Sequence, residues 1–228
     1  LEAGQSGNAL FYLEKPIAAL MDERFIIRSL SPMETIGGCV VLDSNPIPIR
    51  KELKLWTASL QESPSERFKQ FVSQYWKSPK SLGNWARHFQ TTESQVKNWI
   101  KSEEIKNEKG FLFTSEKRDE SMEYIREVLT QFHKENPYKK SLSQDRLKDA
   151  THFSTNWLSY ILDYMVDELI KLEGGFALKS HSVVLSDSDA SLAKILEDSV
   201  KQARYAILNA KELSSENPKI TLEILYIL

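Results

Sequence analysis

The sequence predicts a mixed fold, the last strands of a β-structure followed by mainly helical α+β modules that each close on a hairpin. Three observations predict it. Residues 24–43, RFIIRSLSPMETIGGCVVLD, hold two β-rich runs, 24–29 and 35–43, around the short connector 29–34. After Asp43 the composition breaks at Pro46 and Pro48, and helical periodicity takes over. Three helices and a hairpin then follow one another twice, and a third such series begins.

Composition bounds the function classes. A length of 228 residues holds one large domain or two to three small ones. The 41% hydrophobic and 27% charged fractions are those of an ordinary globular chain. A net charge of -2 removes the simplest argument for a phosphate-tracking surface, although it leaves room for a local basic patch. Cys39 is the single cysteine, which excludes a disulfide framework and a cysteine-based metal site and suits a reducing compartment. No apolar run approaches the ~18–20 residues that span a bilayer, so no membrane partner is expected. The chain opens in strand and turn chemistry without an initiator methionine and closes on the apolar ITLEILYIL, so it reads as an internal piece of a longer protein.

The elements follow in order. Residues 8–14 form a short β-run that Lys15–Pro16 closes, since the residue before proline is pushed to extended geometry. Residues 17–20 lead into a turn at 21–23. Arg24, Ile26 and Arg28 then alternate with Phe25 and Ile27, the period-2 pattern of a strand with one wet and one dry face. Gly37 and Gly38 inside the second run point to a bulge or a close backbone approach. Three or so strands do not make a stable sheet alone, so 1–45 is expected to complete a barrel or sandwich begun upstream. Residues 44–60 are linker feeding a first helix. Ser63 and Pro64 start another over 65–77, with Phe68, Phe71, Val72 and Tyr75 at i, i+3, i+4, i+7. A short helix over 82–89 carries Trp85 and Phe89, and Thr92 caps a third with Val96, Trp99 and Ile100 on one face. The hairpin 105–114 turns at 108–110. This is the winged-helix plan. It recurs as a long helix over 118–135, a short one to Ala150, a helix over 155–172 ended by Gly174–Gly175, and a hairpin of 176–178 with 183–185. A third copy starts with a helix over 188–208 and continues through 211–215 and 218–228.

Two stretches carry a family resemblance. AGQSGNALFYLEKPIAALMDERFIIRSLSPMETIGGCVVLD resembles the closing strands of the third domain of translational GTPases of the EF-Tu type. Their pattern is a small-residue turn, an apolar strand, K/H-P-I, an R-F-x-I/L-R strand and T-I/V-G-x-G. DERFIIR, the S-P of the connector and TIGG followed by VVLD are closest to the selenocysteine-specific elongation factors (SelB), in which that strand runs into winged-helix modules. Cys39 stands where the family has a third glycine. VLTQFHKENPYKKSLSQDRLK resembles the L-x-x-F-H-x-x-N-P-L-x-x-G that opens that family's second module, with Tyr138 for the leucine and Ser141 for the glycine. The resemblance implies four segments: barrel end at 1–45, linker and first module at 46–117, second module at 118–187, and a truncated third at 188–228.

The resemblance also implies function. Members deliver selenocysteinyl-tRNA to the ribosome at recoded UGA codons in a GTP-dependent way, in the cytoplasm, and read an mRNA hairpin mainly through a last module beyond this sequence. GTP and Mg belong to the family's GTPase domain. No G-x-x-x-x-G-K-[ST] occurs here, so this piece is expected to hold no cofactor and no catalytic or metal site, and not to hydrolyse GTP. The family's barrel edge contacts the T-stem of aminoacyl-tRNA, which makes Arg28, Ser29 and Thr35 tRNA-contact candidates; the alternative for Arg28 is an ion pair with Glu34. Lys139 and Lys140, with Lys106, Lys109 and 77–80, are candidate phosphate contacts, against a plain solvated face. Trp76, Trp85 and Trp99 read as core rather than as a stacking platform, and His133 as a group that fixes a helix end. His88, His152 and His181 are assigned no chemistry. Two other classes compete, a tandem winged-helix DNA-binding regulator and a protein-interaction scaffold; fold alone does not separate them.

Overall fold

The computed structural model describes residues 2, 4–44, 50–101, 104–183, 185, 187–203, 221 and 224. It divides into two compact units, Leu1–Arg118 and Asp119–Leu228.

The first unit begins with the antiparallel pair β1 (Arg24–Arg28) and β2 (Thr35–Val40). The alternation in β1 is the one read from sequence: Phe25 and Ile27 are half-buried while Arg24, Ile26 and Arg28 are exposed. Register slips by one between Ile27 and Arg28, leaving Ile36 as the extra residue of a bulge. Gly37 and Gly38 are not explained by close approach, because a side chain at Gly37 would meet nothing and one at Gly38 only ordinary contact. Residues 8–14 form no strand, and Phe11, Tyr12 and Leu13 are exposed. A β-run is held by a partner, and no described residue supplies one there. Among the described residues the strands close no barrel.

Helix α1 (Arg50–Ser59) precedes a module of three helices and a hairpin. Helix α2 (Pro64–Gln74) has proline in its first turn and buries Phe68, Phe71 and Val72. Helices α3 (Leu82–His88) and α4 (Glu93–Trp99) start at true caps, where the Ser81 hydroxyl accepts from the Asn84 N–H and Thr92 from Gln95. Strands β3 (Ile105–Glu108) and β4 (Phe111–Thr114) meet at a two-residue turn. Lys109 and Gly110 both have positive φ, as a primed hairpin turn requires. The Leu112 N–H donates to the Lys80 carbonyl (3.1 Å), which ties the hairpin to the segment ahead of α3. Phe68, Phe71, Val72, Trp85 and Val96 form the core, each burial contributing roughly 1.5–3 kcal/mol. Met21 and Leu42, flanking the β1–β2 hairpin, pack on the same core.

The second module repeats the order. Helix α5 (Ser115–Glu135) starts before the expected residue 118, because the Thr114 hydroxyl accepts from the Lys117 N–H and caps it. Helix α6 (Gln144–Thr151) is capped by Ser143 and ends at His152 in the left-handed region. Helix α7 (Thr155–Tyr164) buries Trp157, Leu158 and Ile161, and the Trp157 indole donates to the buried Ser121 hydroxyl.

Here the structure corrects the sequence reading. The helix stops at Tyr164 instead of Leu172, and residues 169–172 are strand β5 (Leu169–Leu172), paired with β6 (Gly175–Leu178). The pairing expected between 176–178 and 183–185 is replaced by this one. Leu169 and Leu172 fit the helical stripe, but Leu169 finds burial opposite Leu178, and the Lys179 N–H donates to the Glu168 carbonyl to close the ladder. Leu142 and Phe176 exchange both backbone bonds at 2.9 Å, the counterpart of the Lys80–Leu112 tie. Helix α8 (Asp187–Ala203) follows and packs Leu196 against Ile224. The expected elements at 211–215 and 218–228 lie outside the described residues, Thr221 and Ile224 excepted.

Candidate functional site

Arg28, Ser29 and Thr35 come together at the end of the β1–β2 hairpin, where Arg28 faces Thr35 in the register. The turn beyond them contains a cis Ser31–Pro32 bond and is closed by Ser29, whose N–H donates to the Glu34 carbonyl (2.9 Å). Its hydroxyl donates to the Pro32 carbonyl and accepts from the Glu34 N–H (3.1 Å). Ser29 therefore shapes the turn, and of the three Arg28 carries the charge. The structure shows no ion pair between Arg28 and Glu34. The surface around Arg28 is apolar: Ile26 is 69% exposed, Leu30 95%, and Met33 and Ile36 are exposed beside them.

Lys139 and Lys140 lie in the loop between α5 and α6. The Lys139 ammonium donates to the Asn136 side-chain carbonyl (3.1 Å), and its own carbonyl lies 3.3 Å from Nε2 of His181. Asn136 closes the helix, its side-chain amide donating to the Phe132 carbonyl (3.0 Å). That is the task the sequence assigned to His133. Instead His133, only 7% exposed, has no hydrogen-bond partner at either ring nitrogen and stacks on His181 at 3.6 Å with 15° between the rings. His181, which carries no signal in its own neighbourhood of sequence, is thus part of this loop's packing. Burial, then the neighbouring His181, holds the His133 pKa below its ordinary value. A folded-state pKa below the unfolded ~6.5 gives stability that is complete above that pH and lost as pH falls through the folded value. Acidifying from about pH 7.5 to about 5 is expected to lower the melting midpoint of the second unit, and to lower it less in His133→Phe. Equal falls in the two proteins would show that His133 does not contribute to the pH dependence.

The first unit holds two polar features absent from the sequence reading. Arg67, fully buried within α2, forms an ion pair with Asp22 and donates to the carbonyls of Gln61 (3.0 Å) and Glu62 (2.8 Å). The signal was an arginine four residues before Phe71, on the apolar stripe. Asp43 accepts from the Trp56 indole (3.0 Å) in a cluster with Tyr75, Lys80 and His88. The Lys80 ammonium lies 4.1 Å from the centre of the Tyr75 ring and 5.0 Å from that of Trp85. Burial lowers its pKa against the opposing pull of Asp43. Burial, then Lys80, lowers that of His88. Lys80 is thus half-buried over two aromatic rings, while Lys106 and Lys109 are exposed. Trp85 is fully buried, Trp99 packs on Phe68 and Phe89, and Trp76 is half-buried with Lys77 and Lys117 over its ring.

Among the described residues no group of three or more His, Cys, Asp or Glu is placed to hold a metal, and no helix is long and apolar enough to cross a membrane.

A scan against protein-family models and a search of curated proteins find no match. Solved structures do. The chain shares its fold with a bacterial selenocysteine-specific elongation factor, EF-Sec. The superposition has a TM-score of 0.56 at 14% sequence identity and covers 94% of this chain. It covers 34% of EF-Sec, so the chain spans about a third of that protein's length. At this identity the likeness establishes the fold alone.

Proposed function

We propose that this chain is part of a selenocysteine-specific elongation factor, comprising the end of its third β-barrel and the winged-helix arm that leads to the mRNA-hairpin-binding module. The observation that carries the reading is fold likeness over 94% of the chain, joined to the two stretches of sequence that carry the family's pattern. The exposed apolar surface of the β1–β2 hairpin supports it, since Ile26, Ile36 and Val40 suit a position inside a larger β-structure. The two three-helix-and-hairpin modules are then consecutive winged helices. GTP and Mg would be held by the GTPase domain, selenocysteinyl-tRNA would meet Arg28 and its turn, and the ribosome and the mRNA hairpin would be the further partners.

Chemistry on the modules favours a spacer over a reader. The exposed positions of α4 include Glu93 and Lys97, which cancel, with the uncharged Ser94, Gln95 and Asn98. The exposed positions of α7 carry Thr155, Asn156 and Asp163. Neither is the basic recognition helix that a DNA-binding regulator uses. This chain alone is therefore expected to bind the selenocysteine-insertion hairpin weakly or not at all in a gel shift. A nanomolar, sequence-dependent shift would overturn the spacer assignment and move the reading function into these two modules.

A further inference from the structure

Beside the Arg67–Asp22 contact, the first unit carries an open cavity of about 490 Å³, within the range of ligand sites. Buried Met21 and Phe89 and the partly buried Trp99 give it an apolar, aromatic lining. Asp22, Glu23 and Gln90 stand at the same cavity, and no lining residue is basic. Each carboxylate uses one oxygen within the chain: Oδ1 of Asp22 accepts from Arg67, and Oε2 of Glu23 accepts from the Leu20 N–H at 2.8 Å. The second oxygen of each remains as an acceptor.

We propose that this cavity receives an arginine side chain from a protein partner. A guanidinium is planar, stacks on an indole and offers a fork of N–H donors that matches a carboxylate. Trp99 supplies the aromatic group, Glu23 and Asp22 supply the acceptors, and the apolar lining covers the methylene stem. Lysine presents a compact, strongly hydrated charge without the fork. With Asp22 already paired to Arg67, Glu23 leaves the cavity net negative and its lining offers no cation to a nucleic-acid phosphate, so the partner is a protein segment. The assignment rests on the first unit alone and stands apart from the elongation-factor reading.

The test is titration of the isotope-labelled whole chain with a capped pentapeptide bearing one central arginine between leucines, followed by NMR. Two further peptides replace that arginine with lysine or with citrulline, its neutral isostere. Saturable shifts of the Trp99 indole N–H and of the Glu23 and Gln90 amides are expected, with lysine about fivefold weaker and citrulline silent. Glu23→Gln keeps an acceptor for the Leu20 N–H, so it should leave the melting midpoint in place and weaken the arginine peptide about tenfold. Equal binding of the citrulline peptide, unchanged affinity in E23Q, or shifts scattered away from the cavity would each overturn the proposal.

Discussion

Replacing Gly175 with alanine is expected to destabilise the second unit by about 4 kcal/mol, at the upper end for a single substitution. Gly175 opens β6 with φ +145°, a conformation that side chains rarely adopt. A Cβ there would lie 2.0 Å from the Leu142 carbonyl oxygen and 2.7 Å from Cα of Ser143. Those are backbone atoms, so no side-chain rotation relieves the clash. Relief requires parting Leu142 from Phe176, which forfeits both bonds of that bridge at about 1 kcal/mol each and loosens the β5–β6 hairpin. Gly174→Ala is the control. Its Cβ would approach only the Ser141 side-chain oxygen, at 3.1 Å, and a rotamer change removes the contact. Urea unfolding with a probe in the second unit separates the two, and a Gly175→Ala protein within about 1 kcal/mol of the parent would refute this reading of the hairpin.

Removing the charge of Asp22 is expected to cost the first unit about 3 kcal/mol, because it leaves a fully buried guanidinium without its anion. Asn is the cleaner replacement, since Asp22 has φ 63° and asparagine tolerates the left-handed region. Arg67→Met removes the charge with little loss of volume, and also the donors to the carbonyls of Gln61 and Glu62. The double variant D22N/R67M should be less destabilised than the sum of the two single variants, as expected for groups in direct contact. Strict additivity would show that the pair contributes no coupling. The contact matters to the architecture because Asp22 precedes β1 while Arg67 belongs to α2, so it ties the hairpin to the first module. The Asn8 side chain, donating to the Leu60 carbonyl (2.9 Å), is a second tie.

Much of the helical order was legible because its signals are local. The stripe of Phe68, Phe71 and Val72 and the caps at Ser81, Thr92 and Ser143 act within a turn or two of the residues that carry them. The hairpin of β3 and β4 was likewise announced by its glycine. Features set by distant residues were not legible. Leu169 and Leu172 satisfy a helical stripe as well as a strand, and only Leu178 and Gly175 opposite them decide the matter. Residues 8–14 have strand composition without a described partner. Arg67 drew no reading because its partner Asp22 lies 45 positions away. His133 looked like a helix-end group because Asn136, three residues on, takes that task, and its stacking partner His181 stands in a loop beyond β6. Of the candidate contacts, Arg28, Ser29 and Thr35 form one local cluster, which a hairpin brings about by itself. Lys139 and Lys140 are adjacent by sequence alone, and the structure adds that the first is tied to Asn136.

The elongation-factor reading is tested most directly by sequencing the DNA on either side of this reading frame in its source. The account predicts one continuous frame that encodes G-x-x-x-x-G-K-[ST] upstream of Leu1 and a further, basic winged-helix module downstream of Leu228. In-frame stop codons against both ends would contradict it and give the lead to a protein-interaction scaffold.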